Sequence, residues 1–204
     1  MMKTTLPLVI TWLLVLSKAA SQSLELMPGT ERVFVDAQWL KTFDEERKWS
    51  LFSRSRGTSD YDENTDLFTG AYLNYTTSSG VGGTVLGRIS KAGAGGDVGI
   101  HWFKANGTWM VYALTSVAMS ADLSYGWFSI VRYTPAIDDN WLLYTSLELF
   151  SNFGEQGHVA SVQRIRLGMS RSGYQFGLGL NLAGIGKAYS RTDSNPGIFI
   201  RKQF

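Results

Sequence analysis

Arginine occupies every second position in Arg54-Ser55-Arg56 and again in Arg164-Ile165-Arg166. Two is the side-chain period of a strand, so residues spaced this way share one face of a sheet. Where apolar residues face one way along the chain, those between them face the other. That intervening set also takes in Arg88, His101, Arg132, Tyr144, Glu148, Gln175, Asn181, Arg201 and Gln203. It holds seven arginines against one acid. A concave face of this composition lowers the barrier for anions and grips carboxylates or phosphates with planar guanidinium forks. The same residues also suit a structural role. Small barrels are filled by cross-lumen networks of arginine, acid and amide groups, because buried charge demands partners. Glu148 can satisfy one or two of the arginines. The others must draw on loop acids (Asp60, Asp62, Glu63), on Glu45 and Glu46, or on water.

Acid–base or nucleophilic chemistry has fewer candidates. The chain has two histidines. His101 falls within an alternating run, where a hydrogen-bonded structural imidazole is expected. His158 lies near Glu155 in a connecting segment, and Asp60, Asp62, Glu63 and Asp66 lie in another. Together they outline an alternative, a hydrolase at the outer rim. Asp138-Asp139 looks like an acid pair but is placed to start a short turn. The run Lys91–Gly96 is glycine-rich yet lacks the Gly-Lys-Ser/Thr ending and following helix of a phosphate loop. The acidic stretch Asp60–Asp66 lacks the ligand order and closing glutamate of a calcium loop. The expectation is a protein with no catalytic set, no metal and no cofactor.

The elements that must position these residues are strands. From Lys48 to Phe204 apolar and polar residues alternate through ten runs: 48–58, 66–77, 81–90, 96–104, 107–117, 122–134, 139–151, 159–170, 172–183 and 195–204. Trp49, Tyr75, Trp102, Trp109, Tyr133, Trp141, Tyr174 and Phe204 each fall where a run starts or stops, beside the same set of compact turns. Amphipathic rings settle at the boundary between hydrocarbon and headgroups, so one level of aromatics is a membrane girdle rather than a soluble core. With ten strands both barrel ends lie on that side. Connections on the other side, at Ser59–Thr65, Lys91–Gly95, Asn152–His158 and Gly184–Ser194, read as longer loops.

Residues 1–21 read as a signal peptide: Lys3, an apolar stretch Leu6–Leu16, then small residues to Ser21. Residues 22–47 read as a short periplasmic segment, in which Asp36 is placed to cap a short helix with Ala37, Leu40 and Phe43 on one face, while Arg32–Val35 equally suit a short strand. Residues 48–204 form the barrel. Twenty-two glycines against four prolines suit twisted β-structure with tight turns. Without Lys3 and Lys18 of the leader, basic and acidic residues balance at 17 each, which removes the electrostatic warrant for binding nucleic acid. No cysteine is present, so neither a lipoprotein anchor nor a disulfide framework is available.

The last run, Pro196–Phe204, resembles the terminal strand of Gram-negative outer-membrane β-barrel proteins. Phe204, Ile200 and Ile198 match its aromatic end and alternating apolar positions, and Lys202 departs from it. The resemblance implies an all-β transmembrane meander barrel in the outer membrane, whose final strand engages the barrel-assembly machinery. The partners expected are therefore the lipid bilayer, that machinery and small anionic solutes. The function expected is a narrow porin-like channel or a structural barrel with an arginine-rich lumen. The alternative is a barrel for adhesion through its loops.

Overall fold

The computed structural model describes residues 22–204 apart from Glu63, Ala92 and Ala121, so the expected leader lies outside the described residues. Twelve antiparallel strands follow one another and close into a barrel: β1 (Gln22–Pro28), β2 (Arg32–Thr42), β3 (Trp49–Asp60), β4 (Thr65–Thr76), β5 (Val81–Ser90), β6 (Gly93–Ala105), β7 (Trp109–Ala118), β8 (Ser124–Tyr133), β9 (Leu142–Gly154), β10 (Gly157–Arg171), β11 (Tyr174–Ile185) and β12 (Arg191–Gln203). Closure pairs both edges of every strand, the condition for β-structure to cross a bilayer.

Ten of these strands are those that alternation predicts. The barrel class holds, and the count of ten does not: it is twelve. The two added strands are built from the residues expected to form a periplasmic segment with a helix. β1 has only seven residues and ends in Pro28, and β2 contains the polar pair Asp36 and Gln38, so each is a weak strand when read alone. Their partners settle the matter. Glu25 sits opposite Arg201 of β12, and Asp36 sits opposite Arg56 of β3. Because β1 and β2 come as a pair, the strand number stays even and both barrel ends remain on one side.

The expected contrast between short turns and long outer loops is also overturned. Outer connections span only residues 29–31, 61–64, 91–92, 119–123, 155–156 and 186–190, while 43–48 and 134–141 on the side of the termini are longer. Residues placed in loops instead extend the ladder, as in Ile89↔Ala94 and Ile185↔Arg191. Beyond the hydrocarbon a strand needs no apolar face, so alternation ends before the hydrogen bonds do.

The apolar sets face outward. Leu178 is 64% exposed and Ile198 62%, which a soluble sandwich would not tolerate across a whole sheet. The girdle aromatics pair across strands near the termini: Trp49 lies against Tyr75 at 5.0 Å and Trp109 against Tyr133 at 4.2 Å between ring centroids. Lys202 rests over the Tyr174 ring at 3.8 Å, so its aliphatic stem and cation are both accommodated at this rim. A second group, Tyr125, Trp127, Phe153 and Tyr189, is exposed near the opposite end, so aromatics mark both boundaries.

Candidate functional site: the barrel lumen

Inward-facing residues divide the lumen into two unlike walls. One carries the ions. Arg54 is the hub: Nε and Nη2 donate to the two carboxylate oxygens of Asp36 at 2.6 and 2.8 Å, and Nη1 donates to Glu148 at 2.5 Å. Glu148 also accepts from Arg56 Nη2 at 2.9 Å and from Arg164. Toward the seam of the barrel, Glu25 takes Arg166 at 2.8 Å and Arg201 at 2.5 Å, and Arg201 donates to the Tyr144 hydroxyl at 2.8 Å. Aromatic faces complete this wall, with the Arg164 guanidinium 5.0 Å from the Phe34 ring centre and that of Arg56 5.4 Å from Phe68. Gly179 lets these long side chains lie flat, since a Cβ there would come within 2.8 Å of Met27 Sδ and 3.3 Å of Arg166 Cδ.

The other wall is apolar. Tyr72, Leu86, Leu114, Phe128 and Ile130 are buried together, with Phe52, Met110, Tyr112 and Phe150 packed on them. Strands β3 to β5 and β7 to β9 supply these residues at the inward positions between the lipid-facing ones. The two walls meet at Glu148, whose register partners are Ile130 on β8 and Arg164 on β10. Side chains therefore fill the middle of the barrel. A cavity of about 160 Å³ opens toward the termini, with Arg132, Tyr144, Gln175 and Gln203 in its lining. A larger groove of about 660 Å³ lies among the turns at 46–48, 76–80 and 103–105.

Every lumen residue singled out from sequence faces inward, but not as one cluster. Arg54, Arg56, Arg164 and Glu148 come together. Arg166 and Arg201 form a second group on Glu25. Arg132 stands apart and donates to Gln38 at 3.1 Å, and Arg88 pairs with Asp97 nearer the outer end. His101 is fully committed. Thr84 donates its hydroxyl to Asn74 at 2.7 Å, so it accepts from His101 Nδ1 at 2.7 Å, leaving Nε2 to accept from Thr76 at 2.9 Å. Alternation alone misses Glu25, Asp36 and Asp97, so the tally of seven arginines to one acid becomes seven to four. Asp97 shares the phase of His101 and was open to discovery. Glu25 and Asp36 were hidden in the unrecognised strands. The arginines draw on these acids, not on Glu45, Glu46 or the first outer loop.

The other candidates disperse. Asp60 is occupied by Asn64 and the Asp62 amide, Asp66 pairs with Lys91 at 3.2 Å, and Glu63 lies outside the described residues. Asp138 accepts the Asn140 and Trp141 amides as a turn residue. His158 faces the outer surface of the barrel, away from these acids. Among the described residues no group of histidines, cysteines and acids is arranged to hold a metal.

No family model matches the chain, and no curated protein sequence matches it significantly. Among solved structures the barrel is similar to the KdgM porin in complex with disordered oligogalacturonate, with TM-score 0.54 and 9% identity over 91% of this chain and 99% of that one. The NanC porin gives TM-score 0.54 and 12% identity over 91% and 99%. LpxR from Salmonella typhimurium gives 0.51 and 10% over 91% and 100%. At such identities the likeness is one of fold: this chain is an outer-membrane β-barrel, with the lipid-facing belt that location requires.

Proposed function

We propose that the barrel is a narrow porin-like channel favouring small anionic solutes, with the arginine wall as its selectivity element. The carrying observation is the charge imbalance at the constriction, where Arg54, Arg56, Arg164, Arg166 and Arg201 meet only Asp36, Glu148 and Glu25. Within it the Nε–H groups of Arg56 and Arg164 are buried without a protein acceptor. A carboxylate reaching this layer exchanges its water for guanidinium donors that the protein has already desolvated. The apolar wall opposite offers Tyr72 and Phe128 to the uncharged face of the same solute. That pairing suits a compact organic acid better than an inorganic ion. The resemblance to a porin solved with oligogalacturonate, itself a polyanion, agrees with this reading.

Because the middle of the lumen is filled, permeation requires Arg56 and Arg164 to swing aside. Conduction is accordingly expected in small, brief steps. The test is single-channel recording of refolded protein in planar bilayers, with selectivity from reversal potentials and folding verified by heat-shifted gel mobility. Anion-selective steps that lose their selectivity in Arg56→Ala and Arg164→Ala support the proposal. Silence from folded protein across a range of carboxylate salts refutes it and leaves a structural barrel.

A further inference from the structure

On the lipid-facing surface, near the outer rim, three polar side chains stand where apolar ones are expected. The register pairs Ser161 of β10 with Ser151 of β9, and both point outward in the same phase as Ile165 and Leu147. A bulge between His158 and Ala160 brings the imidazole over the same face. His158 Nε2 lies 2.8 Å from Ser161 Oγ, and Nδ1 lies 2.8 Å from the carbonyl oxygen of Gly186. A carbonyl can only accept, so Nδ1 carries the proton and Nε2 is left as a base facing the serine hydroxyl. This is the arrangement of an activated nucleophile: hydroxyl, base, and a third group fixing the tautomer of the base. Ser151 Oγ, 2.8 Å from Ser161 Oγ, adds a rotatable donor beside it.

The geometry points to a second, catalytic function for this protein: Ser161 and His158 form a nucleophile–base dyad acting on ester-linked acyl chains of outer-leaflet lipids. The surroundings argue for the substrate class. Tyr125, Trp127 and Phe153 are exposed beside the dyad, and such rings mark the interface where hydrocarbon gives way to the ester linkages of lipid headgroups. Among the described residues no other strand covers this face, so an acyl chain lying against the wall reaches it from the bilayer. Tyr189 stacks on the imidazole at 4.1 Å, and Ser161 is 7% exposed beneath it. The ring lies over Gly184, where a Cβ would come within 2.6 Å of it. Tyr189 is carried on the 186–190 connection, and a lipid ester gains access by displacing it.

The chemistry balances without a further reactant. Ser161 Oγ attacks the ester carbonyl carbon while its proton passes to His158 Nε2. The Ser151 hydroxyl is the nearest side-chain donor to the oxyanion that forms. Collapse breaks the bond to the alcohol, which leaves with the proton from Nε2. Water then cleaves the acyl-serine, with His158 accepting and returning its proton, and releases a fatty acid.

The test uses the full chain refolded in detergent, its closure verified by heat-shifted mobility. A fluorophosphonate probe is expected to label Ser161, as mapped by mass spectrometry. Labelling is expected to disappear in Ser161→Ala and to fall about 10²- to 10⁴-fold in His158→Ala, the usual contribution of a positioned base. Fatty acid is then measured from mixed micelles of a diacyl glycerophospholipid and, separately, of an acylated amino-sugar glycolipid. Release from one identifies which ester is used. Folded protein that leaves Ser161 unlabelled, labels it equally in His158→Ala, or releases no fatty acid from either micelle overturns the inference. It stands independently of conductance, since Arg56 and Arg164 lie on the opposite side of the barrel wall.

Discussion

Replacing Glu148 with glutamine isolates the charge of the residue on which three arginines converge. The substitution keeps the volume of the side chain and one carbonyl acceptor, so it removes charge without opening a cavity. With the carbonyl oxygen in the Oε1 position, Arg56 at 2.9 Å and Arg164 keep an acceptor that no longer carries charge, while Arg54 Nη1, at 2.5 Å from Oε2, loses its acceptor and faces the new NH2 group. The two weakened bonds cost about 1 kcal/mol each and the unpaired Arg54 donor about 1–3 kcal/mol, so the loss is about 3–5 kcal/mol. That sum matches the roughly 3–5 kcal/mol lost on breaking a buried ion pair. Urea titration of protein folded into vesicles, followed by tryptophan fluorescence and gel mobility, measures the change. Glu155→Gln, in the exposed connection after β9, is the control and is expected to shift stability by less than about 0.5 kcal/mol. A Glu148→Gln protein within about 0.5 kcal/mol of the parent would mean that the guanidiniums are solvated by water rather than held by this carboxylate. In bilayers the same variant is expected to be more anion-selective, because it raises the positive excess at the constriction.

Leu167→Arg, on the lipid-facing side of β10, is expected to cost about 2–4 kcal/mol in vesicles; an unchanged unfolding midpoint would place that face in contact with protein or water. Asn195→Ala removes the amide that accepts from the Glu31 and Arg32 N–H groups and donates to the Arg32 carbonyl, at 2.9, 3.2 and 3.1 Å. A loss of about 1–3 kcal/mol is expected, with faster hydrogen exchange confined to β1, β2 and β12; uniform acceleration would contradict a local role. Asp44, in the turn before β3, accepts the Trp49 N–H at 2.6 Å and the Lys48 N–H at 2.9 Å, which hold its carboxyl below the ordinary value near 3.8. Its contribution is present above that value and lost as pH falls through the lower, folded one. The Trp49 amide resonance should titrate with a midpoint below 3.8, and a midpoint at or above it would remove the carboxylate from the turn.

The sequence discloses most of the barrel because the bilayer imposes a one-dimensional rule: every second residue must be apolar wherever a strand crosses. That rule located β3 to β12 and the phase of every lumen arginine. It fails where other forces decide. β1 carries two outward leucines and one proline, too few for a pattern, and its place is set by Glu25 meeting Arg166 and Arg201 from the far end of the chain. The apolar wall was invisible for the opposite reason. Tyr72, Phe128 and Ile130 fall at inward positions where polar residues were expected, and they assemble from strands distant in sequence. His158 could be found as a rim residue, but its partner could not, since the bulge that turns it toward Ser161 leaves no local signature.

The shortness of the join between the first and last strands bears on how the barrel is made. β1 and β12 share four consecutive pairs, Ser23–Leu26 with Gln203–Ile200, against twelve between β10 and β11. β1 must therefore wait, one edge unpaired, until β12 is available. A chain stopped even ten residues early would lack Arg201, the whole of that four-residue ladder, and with them any means of sealing. Closure thus joins β1 to β12 in a single event, and only a chain carrying both strands can withdraw their edges from competing strands. The charged clasp at Glu25 makes that joining a chemical one as well as a geometric one.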